Sequence, residues 1–83
     1  MKMMKFFTYI LCSQRSKKYY IGSTMNLDKR VEKHNRGEVK STKSGIPWNL
    51  VYFESFESRS EAFVREHQIK KKKSRKYIET LLK

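Results

Sequence analysis

Cysteine, histidine and long apolar runs are all scarce in this chain of 83 residues. The single cysteine, Cys12, cannot form an intramolecular disulfide. The two histidines, His34 and His67, are too few for the Cys/His ligand sets of zinc fingers, so any metal ion must be held mainly by oxygen atoms. These absences predict a cytoplasmic protein without disulfides or structural zinc.

No segment reaches the ~20 consecutive apolar residues that a membrane-spanning helix requires. The start of the chain superficially resembles a signal peptide, but its apolar run is short and contains Thr8 and Tyr9. The polar residues 13–18 follow it, where a signal peptide would have a small-residue cleavage site. We therefore expect this segment to be the first strand of the mature protein, with no membrane partner.

Acidic residues are also few. The chain has 20 Lys and Arg residues but only 8 Asp and Glu residues, which gives a net charge of +12. The basic excess lies in residues 1–43 and 65–83, whereas residues 44–64 carry one basic and three acidic side chains. Such a field favours a polyanion, either nucleic acid or an anionic membrane surface. The membrane reading fits less well, since the basic clusters are not backed by a broad apolar face.

Alternating apolar residues predict three β-strands, which cover residues 6–12, 18–23 and 48–56. The first two are close enough in sequence to pair as an antiparallel hairpin. In the third strand we expect Leu50, Tyr52 and Glu54 to share one face, because side chains alternate along a strand.

Capping residues predict the helices. Asn26 precedes a helix over residues 27–36 that ends at Gly37, Ser58 opens a capping box with Glu61, and Ser74 opens a last short helix. Residues 38–47 are expected to form a flexible basic loop. The order ββαβα(α) predicts an α+β fold, a three-stranded antiparallel sheet flanked by helices, in one domain of residues 1–83.

Five polar side chains fall where these elements would bring them together. Tyr9 and Tyr20 lie on the two hairpin strands, Arg30 and His34 are one helical turn apart, and Glu66 lies on the stripe of a later helix that should be buried. A carboxylate on a buried stripe is costly unless it is paired or holds a metal ion. Together these groups suit hydrolysis of a phosphodiester, with a guanidinium for developing charge, a carboxylate for a divalent ion and a phenol or imidazole for the proton.

Each residue alone also has an ordinary structural interpretation. The tyrosines could be half-buried strand aromatics, Arg30 a solvated helix charge and His34 a helix-end residue. Glu66 could be an i, i+4 ion-pair partner of Lys70. The spacing of the whole set, rather than any one member, favours the catalytic interpretation.

These residues resemble the motifs of the GIY-YIG nuclease superfamily, over nearly the whole chain. The second motif is complete as Tyr20-Ile21-Gly22, and the first has the looser form Thr8-Tyr9-Ile10, which lacks the glycine of the family name. The chain is similar to the small UvrC-like members, which resemble the nuclease module of the bacterial excision-repair protein UvrC.

The resemblance implies a role for each of the five side chains. Tyr9 would be the phenol beside the attacking water, and Tyr20 would be a second phenol that orients water or phosphate. Arg30 would bind the scissile phosphate, His34 would assist proton transfer, and Glu66 would hold a single Mg²⁺ or Mn²⁺ ion. The general base stays open among Tyr9, Tyr20 and His34.

The implied activity is a metal-dependent endonuclease that hydrolyses DNA, in DNA repair or in the processing of branched or single-stranded intermediates. A non-catalytic nucleic-acid-binding module that uses the same basic surface is the alternative. Gly22 would let the backbone approach the phosphate closely. The expected partners are nucleic acid, most simply DNA, and a targeting protein, with the chain acting as a monomer or weak dimer. Six lysines are expected to contact DNA: Lys40, Lys43, Lys70, Lys71, Lys72 and Lys73.

Overall fold

The computed structural model describes residues 4–83 and places three strands in one antiparallel sheet. The strands are β1 (Phe6–Ser13), β2 (Tyr19–Thr24) and β3 (Trp48–Phe56), in the order β2-β1-β3. The central strand β1 is the most deeply buried, because neighbouring strands cover both its edges and helices cover both its faces. It is also the most apolar of the three strands. Residues 1–3, where the signal-like start of the chain begins, lie outside the described residues.

The helices are α1 (Leu27–Asn35), a 3-10 helix (Lys40–Gly45), α2 (Arg59–Lys72) and α3 (Arg75–Leu81). Each α-helix begins at a predicted cap whose side chain accepts the backbone N–H three residues further on, and these caps are Asn26, Ser58 and Ser74. The predicted α+β order is confirmed. Within residues 4–83, no helix is both long enough and apolar enough to span a bilayer.

Alternation along β1 divides the core between the two faces of the sheet. Tyr9 and Leu11 point to one face, where Trp48 and residues of α1 pack against them. Ile10 points to the other face and packs against Ile69 of α2 and Ile78 of α3. We call these the α1 face and the α2 face.

A β-bulge in β3 overturns one expectation about this alternation. Ile10 lies opposite Tyr52 whereas the next residue, Leu11, lies opposite Leu50, so Val51 is an extra residue in β3. Paired residues share a face, so Leu50 belongs to the α1 face while Tyr52 belongs to the α2 face. The prediction that Leu50, Tyr52 and Glu54 share one face is therefore wrong for Leu50.

The expected flexible loop over residues 38–47 instead contains the 3-10 helix. Thr42 and Gly45 within it are buried. Trp48 anchors the segment, since its indole N–H donates to the carbonyl of Thr42 at 2.7 Å and its backbone N–H donates to the side chain of Asn35 at 2.7 Å. These bonds hold the segment against the end of α1, which matters for the position of His34.

Candidate active site

The hairpin register brings two phenols together on the α1 face. Tyr9 lies opposite Gly22, and Leu11 lies opposite Tyr20, so the two tyrosines are diagonal neighbours on adjacent strands. Their ring centroids are 6.4 Å apart. The juxtaposition predicted from sequence is what the structure has.

Gly22 makes room for the phenol of Tyr9. A Cβ atom at position 22 would lie 2.6 Å from the Tyr9 hydroxyl oxygen and 2.7 Å from the ring carbon that carries it. Only glycine therefore lets the phenol of Tyr9 lie over β2 at this position. The space above Gly22 is filled by Tyr9, so the earlier interpretation, in which this glycine admits a phosphate to the backbone, is not supported.

His34 is fully buried and joins Tyr9 to the 3-10 helix. Its Nε2 atom is 3.0 Å from the Tyr9 hydroxyl, and its Nδ1 atom is 2.8 Å from the Thr42 hydroxyl. The Thr42 hydroxyl also lies 3.3 Å from the carbonyl of Val39, to which it donates its one proton. It must then accept from Nδ1–H, which assigns Nε2 as an unprotonated acceptor for the Tyr9 O–H.

Arg30 completes the environment of the Tyr9 oxygen. Its Nε–H donates to that oxygen at 3.3 Å, from the helical turn before His34. The hydroxyl of Tyr9 thus lies between a guanidinium donor and an imidazole acceptor. The positive charge of Arg30 favours the phenolate form of Tyr9, and the imidazole nitrogen is placed to accept the phenol proton.

Burial controls the resting protonation of this pair. It lowers the pKa of His34 to about 4, with the charge of Arg30 adding to the effect, so the imidazole is neutral at pH 7. Burial also raises the pKa of the Tyr9 phenol, and the hydrogen bond and charge of Arg30 oppose that rise. The resting state is therefore a neutral phenol hydrogen-bonded to a neutral imidazole.

Glu66 approaches the same place from the α2 face. Its side chain is almost buried, and one oxygen accepts from the hydroxyl of Ser23 at 2.8 Å while the other accepts from the ammonium of Lys70 at 2.5 Å. The negative charge of Glu66 contributes to the raised pKa of Tyr9, so the two groups interact electrostatically. The phenol lies over Gly22, and the carboxylate is bonded to Ser23, the next residue of β2.

Sequence reasoning missed two residues that hold this site together. Ser23 directly follows the Tyr20-Ile21-Gly22 motif, and strand alternation alone would have placed it on the face opposite Gly22, towards Glu66. Thr42 gives no comparable signal, because it reaches His34 only through the fold of the 3-10 helix. The structure also contains the i, i+4 ion pair of Glu66 with Lys70 that the structural interpretation of Glu66 predicts.

Glu66 is the residue in this site whose chemistry fits a divalent metal ion. Within residues 4–83, no three His, Cys, Asp or Glu side chains lie close enough to form a metal cage. Mg²⁺ does not require one, since it keeps several of its waters and binds through one or two carboxylates. The ammonium of Lys70 can leave the Glu66 oxygen, because the Lys70 side chain is 43% exposed on a flexible stem.

The structure divides the six lysines expected to contact DNA. Lys40 and Lys43 are exposed on the 3-10 helix, beside the segment that holds His34. In the run of residues 70–73, Lys70 and Lys73 face a cleft beside β2, whereas Lys71 and Lys72 line a different cavity against Tyr77. The run is therefore not one continuous surface.

Because His34 is buried and neutral, we predict that the protein loses stability in mild acid. Its pKa is about 4 in the folded protein and 6.5 ordinarily, so between these values the unfolded chain binds more protons. The free energy of unfolding is then highest above pH 6.5 and falls by about 3 kcal/mol as the pH drops towards 4. Urea unfolding across this window measures it.

The His34→Gln variant should lose most of this pH dependence, because it has no imidazole to protonate. His67→Gln is the matched control, since His67 is exposed and should leave the slope unchanged. Equal slopes for wild type and His34→Gln would contradict the assignment of a buried neutral imidazole.

Comparisons with known proteins identify the family of this chain. Residues 5–78 match the family model of the GIY-YIG catalytic domain. A UPF0213 protein of Pediococcus pentosaceus is 40% identical over 80 residues, which cover 94% of this chain and 82% of that protein. A UPF0213 protein of Staphylococcus aureus is 48% identical over 66 residues, which cover 77% of this chain and 78% of that protein.

A solved structure has the same fold. The solution NMR structure of the UPF0213 protein BH0048 from Bacillus halodurans is similar with a TM-score of 0.58 and 34% identity. The match covers 95% of this chain and 83% of that one. Because the family model matches most of this chain, the chain belongs to the GIY-YIG family of nucleases.

Proposed function

We propose that this protein is a metal-dependent endonuclease that hydrolyses phosphodiester bonds of DNA, with residues 1–83 acting as a single nuclease domain. The observation that carries the proposal is the position of the Tyr9 hydroxyl, between the Arg30 Nε–H donor and the His34 Nε2 acceptor. The substrates would be branched or single-stranded intermediates, as in DNA repair. A targeting protein in the cytoplasm would direct the enzyme to them.

The proposed reaction uses this hydrogen-bonded chain to activate water. The phenol proton of Tyr9 passes to Nε2 of His34, and the phenolate oxygen takes a proton from the water that attacks phosphorus. A new P–O bond forms as the bond to the leaving oxygen breaks; that oxygen takes a proton from solvent, and the imidazolium of His34 releases its proton to solvent, which restores the neutral pair. Tyr20, whose ring lies edge-on to His34 at 4.9 Å between centroids, would orient the water or the phosphate.

Arg30 and Glu66 would help to stabilise the negative charge on the phosphate. The guanidinium of Arg30 stabilises both the phenolate and the phosphate oxygens as charge develops in the transition state. Glu66 would hold the ion, and bound Mg²⁺ or Mn²⁺ would supply Lewis-acid neutralisation of the phosphate. For this, Lys70 must exchange the carboxylate oxygen for a nearby phosphate, which an exposed lysine can do.

The second candidate function is a non-catalytic nucleic-acid-binding module. The observation that favours it is the state of Glu66, whose two oxygens are bonded to Ser23 and Lys70. If Lys70 stayed bonded to Glu66, the carboxylate would be only a structural ion-pair partner. The function would then be the binding of nucleic acid by the basic surface.

Cleavage and binding measured on the same samples separate the two functions. End-labelled single-stranded, duplex and branched DNA would be incubated with Mg²⁺, with Mn²⁺ or with EDTA. The nuclease proposal expects cutting with either metal and none in EDTA, with binding present in all three conditions. Tight binding without cutting in every condition would reject the nuclease in favour of the binding module.

A further inference from the structure

A cleft of about 320 Å³ runs along the outer edge of β2, between the hairpin and the junction of α2 with α3. Its floor is apolar: the half-buried Tyr19 and Ile21 line it, above the core residues Ile69 and Ile78. Four cationic side chains line it, and they are Lys18, Lys70, Lys73 and Arg75. An apolar floor under a cationic rim suits a ligand that has both flat apolar groups and negative charges.

The backbone at the end of α2 brings these cations together. Lys73 ends the helix in the left-handed conformation, with φ of 49°, and its N–H donates to the carbonyl of Lys70. This turn lets α3 begin at Arg75, so cations from both helices face one cleft. Arg75 fixes the far wall, since it donates to the carbonyl of Lys17 at 2.7 Å and its guanidinium lies 4.7 Å from the ring centre of Tyr19.

The cleft leads directly to the candidate active site. Lys70 belongs to both, because it lines the cleft and bonds to Glu66. Lys18 also lines a second cavity, of about 230 Å³, beside Tyr20 on the α1 face. An extended ligand lying in the cleft would therefore pass close to Glu66.

We propose that this cleft binds an unpaired stretch of the nucleic-acid strand that is cut, which makes single-stranded tails the preferred substrate class. Phosphates would lie against the cationic rim, and an unpaired base would lie against the apolar floor at Tyr19 and Ile21. A duplex keeps its bases stacked in its interior and offers only phosphates to such a surface, so it would leave the floor uncovered. The inference rests on the proposed nuclease function for its role in cleavage, but the binding itself can be tested separately.

Charge-matched variants test the cleft against the overall positive field. Lys18→Gln/Lys73→Gln removes two cations from the rim, and Lys76→Gln/Lys83→Gln removes two that do not line it. Binding of a labelled oligothymidine, an oligouridine and a blunt hairpin duplex would be measured over a range of salt concentrations. The oligothymidine and oligouridine arms show whether the cleft discriminates between DNA and RNA.

We expect the rim variant to bind both single strands about 10-fold more weakly and to reduce the salt slope by ~1.4, the value for two phosphate contacts on a single strand. The control variant should change single-strand affinity less than about 3-fold, and the duplex should bind both variants alike. The proposal would be overturned if the rim and control variants lost the same single-strand affinity, or if the rim variant lost as much affinity for the duplex as for the single strands. Either result would leave only the overall positive charge of the protein as the cause of binding. Absence of metal-dependent cutting would reject the nuclease without affecting this result, because the readout is binding.

Discussion

Replacing Glu66 by glutamine should lower metal-dependent cleavage by about 10³-fold or more while DNA binding changes only a few-fold. The reason is that Glu66 is the carboxylate proposed to hold the ion, and a bound divalent ion contributes several kcal/mol of charge stabilisation in the transition state. Glutamine keeps an acceptor oxygen for Ser23 and nearly the same volume, so the packing of α2 against β2 should survive. Single-turnover cleavage with Mg²⁺ and with Mn²⁺ measures the loss.

Glu57→Gln is the control for the change in charge. Glu57 is exposed and faces Lys5 at 3.7 Å, outside the proposed site, so this variant should cleave as the wild type does. A folded Glu66→Gln protein that still cuts at a metal-dependent rate would contradict the assignment of the metal to Glu66. Retained binding with no cutting would agree with it.

Replacing Tyr9 by phenylalanine should lower kcat by about 10²- to 10⁴-fold, the usual contribution of a positioned acid or base, with little change in KM. The ring remains above Gly22, but the oxygen between Arg30 and His34 is lost. The buried Nε2 acceptor of His34 also loses its donor, which should reduce the free energy of unfolding by about 1–3 kcal/mol. Steady-state kinetics and urea unfolding give the two values.

Tyr77→Phe provides a matched control for the lost hydroxyl. Its hydroxyl also accepts from an arginine, Arg65 at 3.3 Å, but it lies on the α2 face away from the phenol pair. We expect it to affect stability without reducing kcat. If Tyr9→Phe kept a near-normal kcat while His34→Gln lost it, the imidazole itself would be the base and the proposed relay through Tyr9 would be wrong.

Local sequence signals were sufficient for most of the fold. A helix cap is a contact between residues three apart, and strand alternation needs only the strand itself, so both could be predicted from the chain. The closeness of Tyr9 and Tyr20 followed from a hairpin with a short connection. The spacing of Arg30 and His34 followed from one helical turn.

The features that sequence reasoning missed depend on contacts between distant parts of the chain. The bulge at Val51 lies in an apolar run, where no alternation marks an extra residue. Thr42 reaches His34 only because Trp48 holds the 3-10 helix in place. The division of residues 70–73 between two surfaces depends on where α2 ends, at a lysine in a conformation that favours glycine.

The division of the site between two faces of one sheet has a consequence for the folding of this protein. The phenol, the guanidinium and the imidazole depend on the core of the α1 face, whereas the carboxylate depends on the packing of α2 on the opposite face. A partly folded chain with only one face packed would keep its net charge of +12 and its attraction to DNA, but it would lack part of the proposed machinery. Cutting ability would therefore arise only with the complete native state, so incompletely folded molecules could adhere to DNA without damaging it.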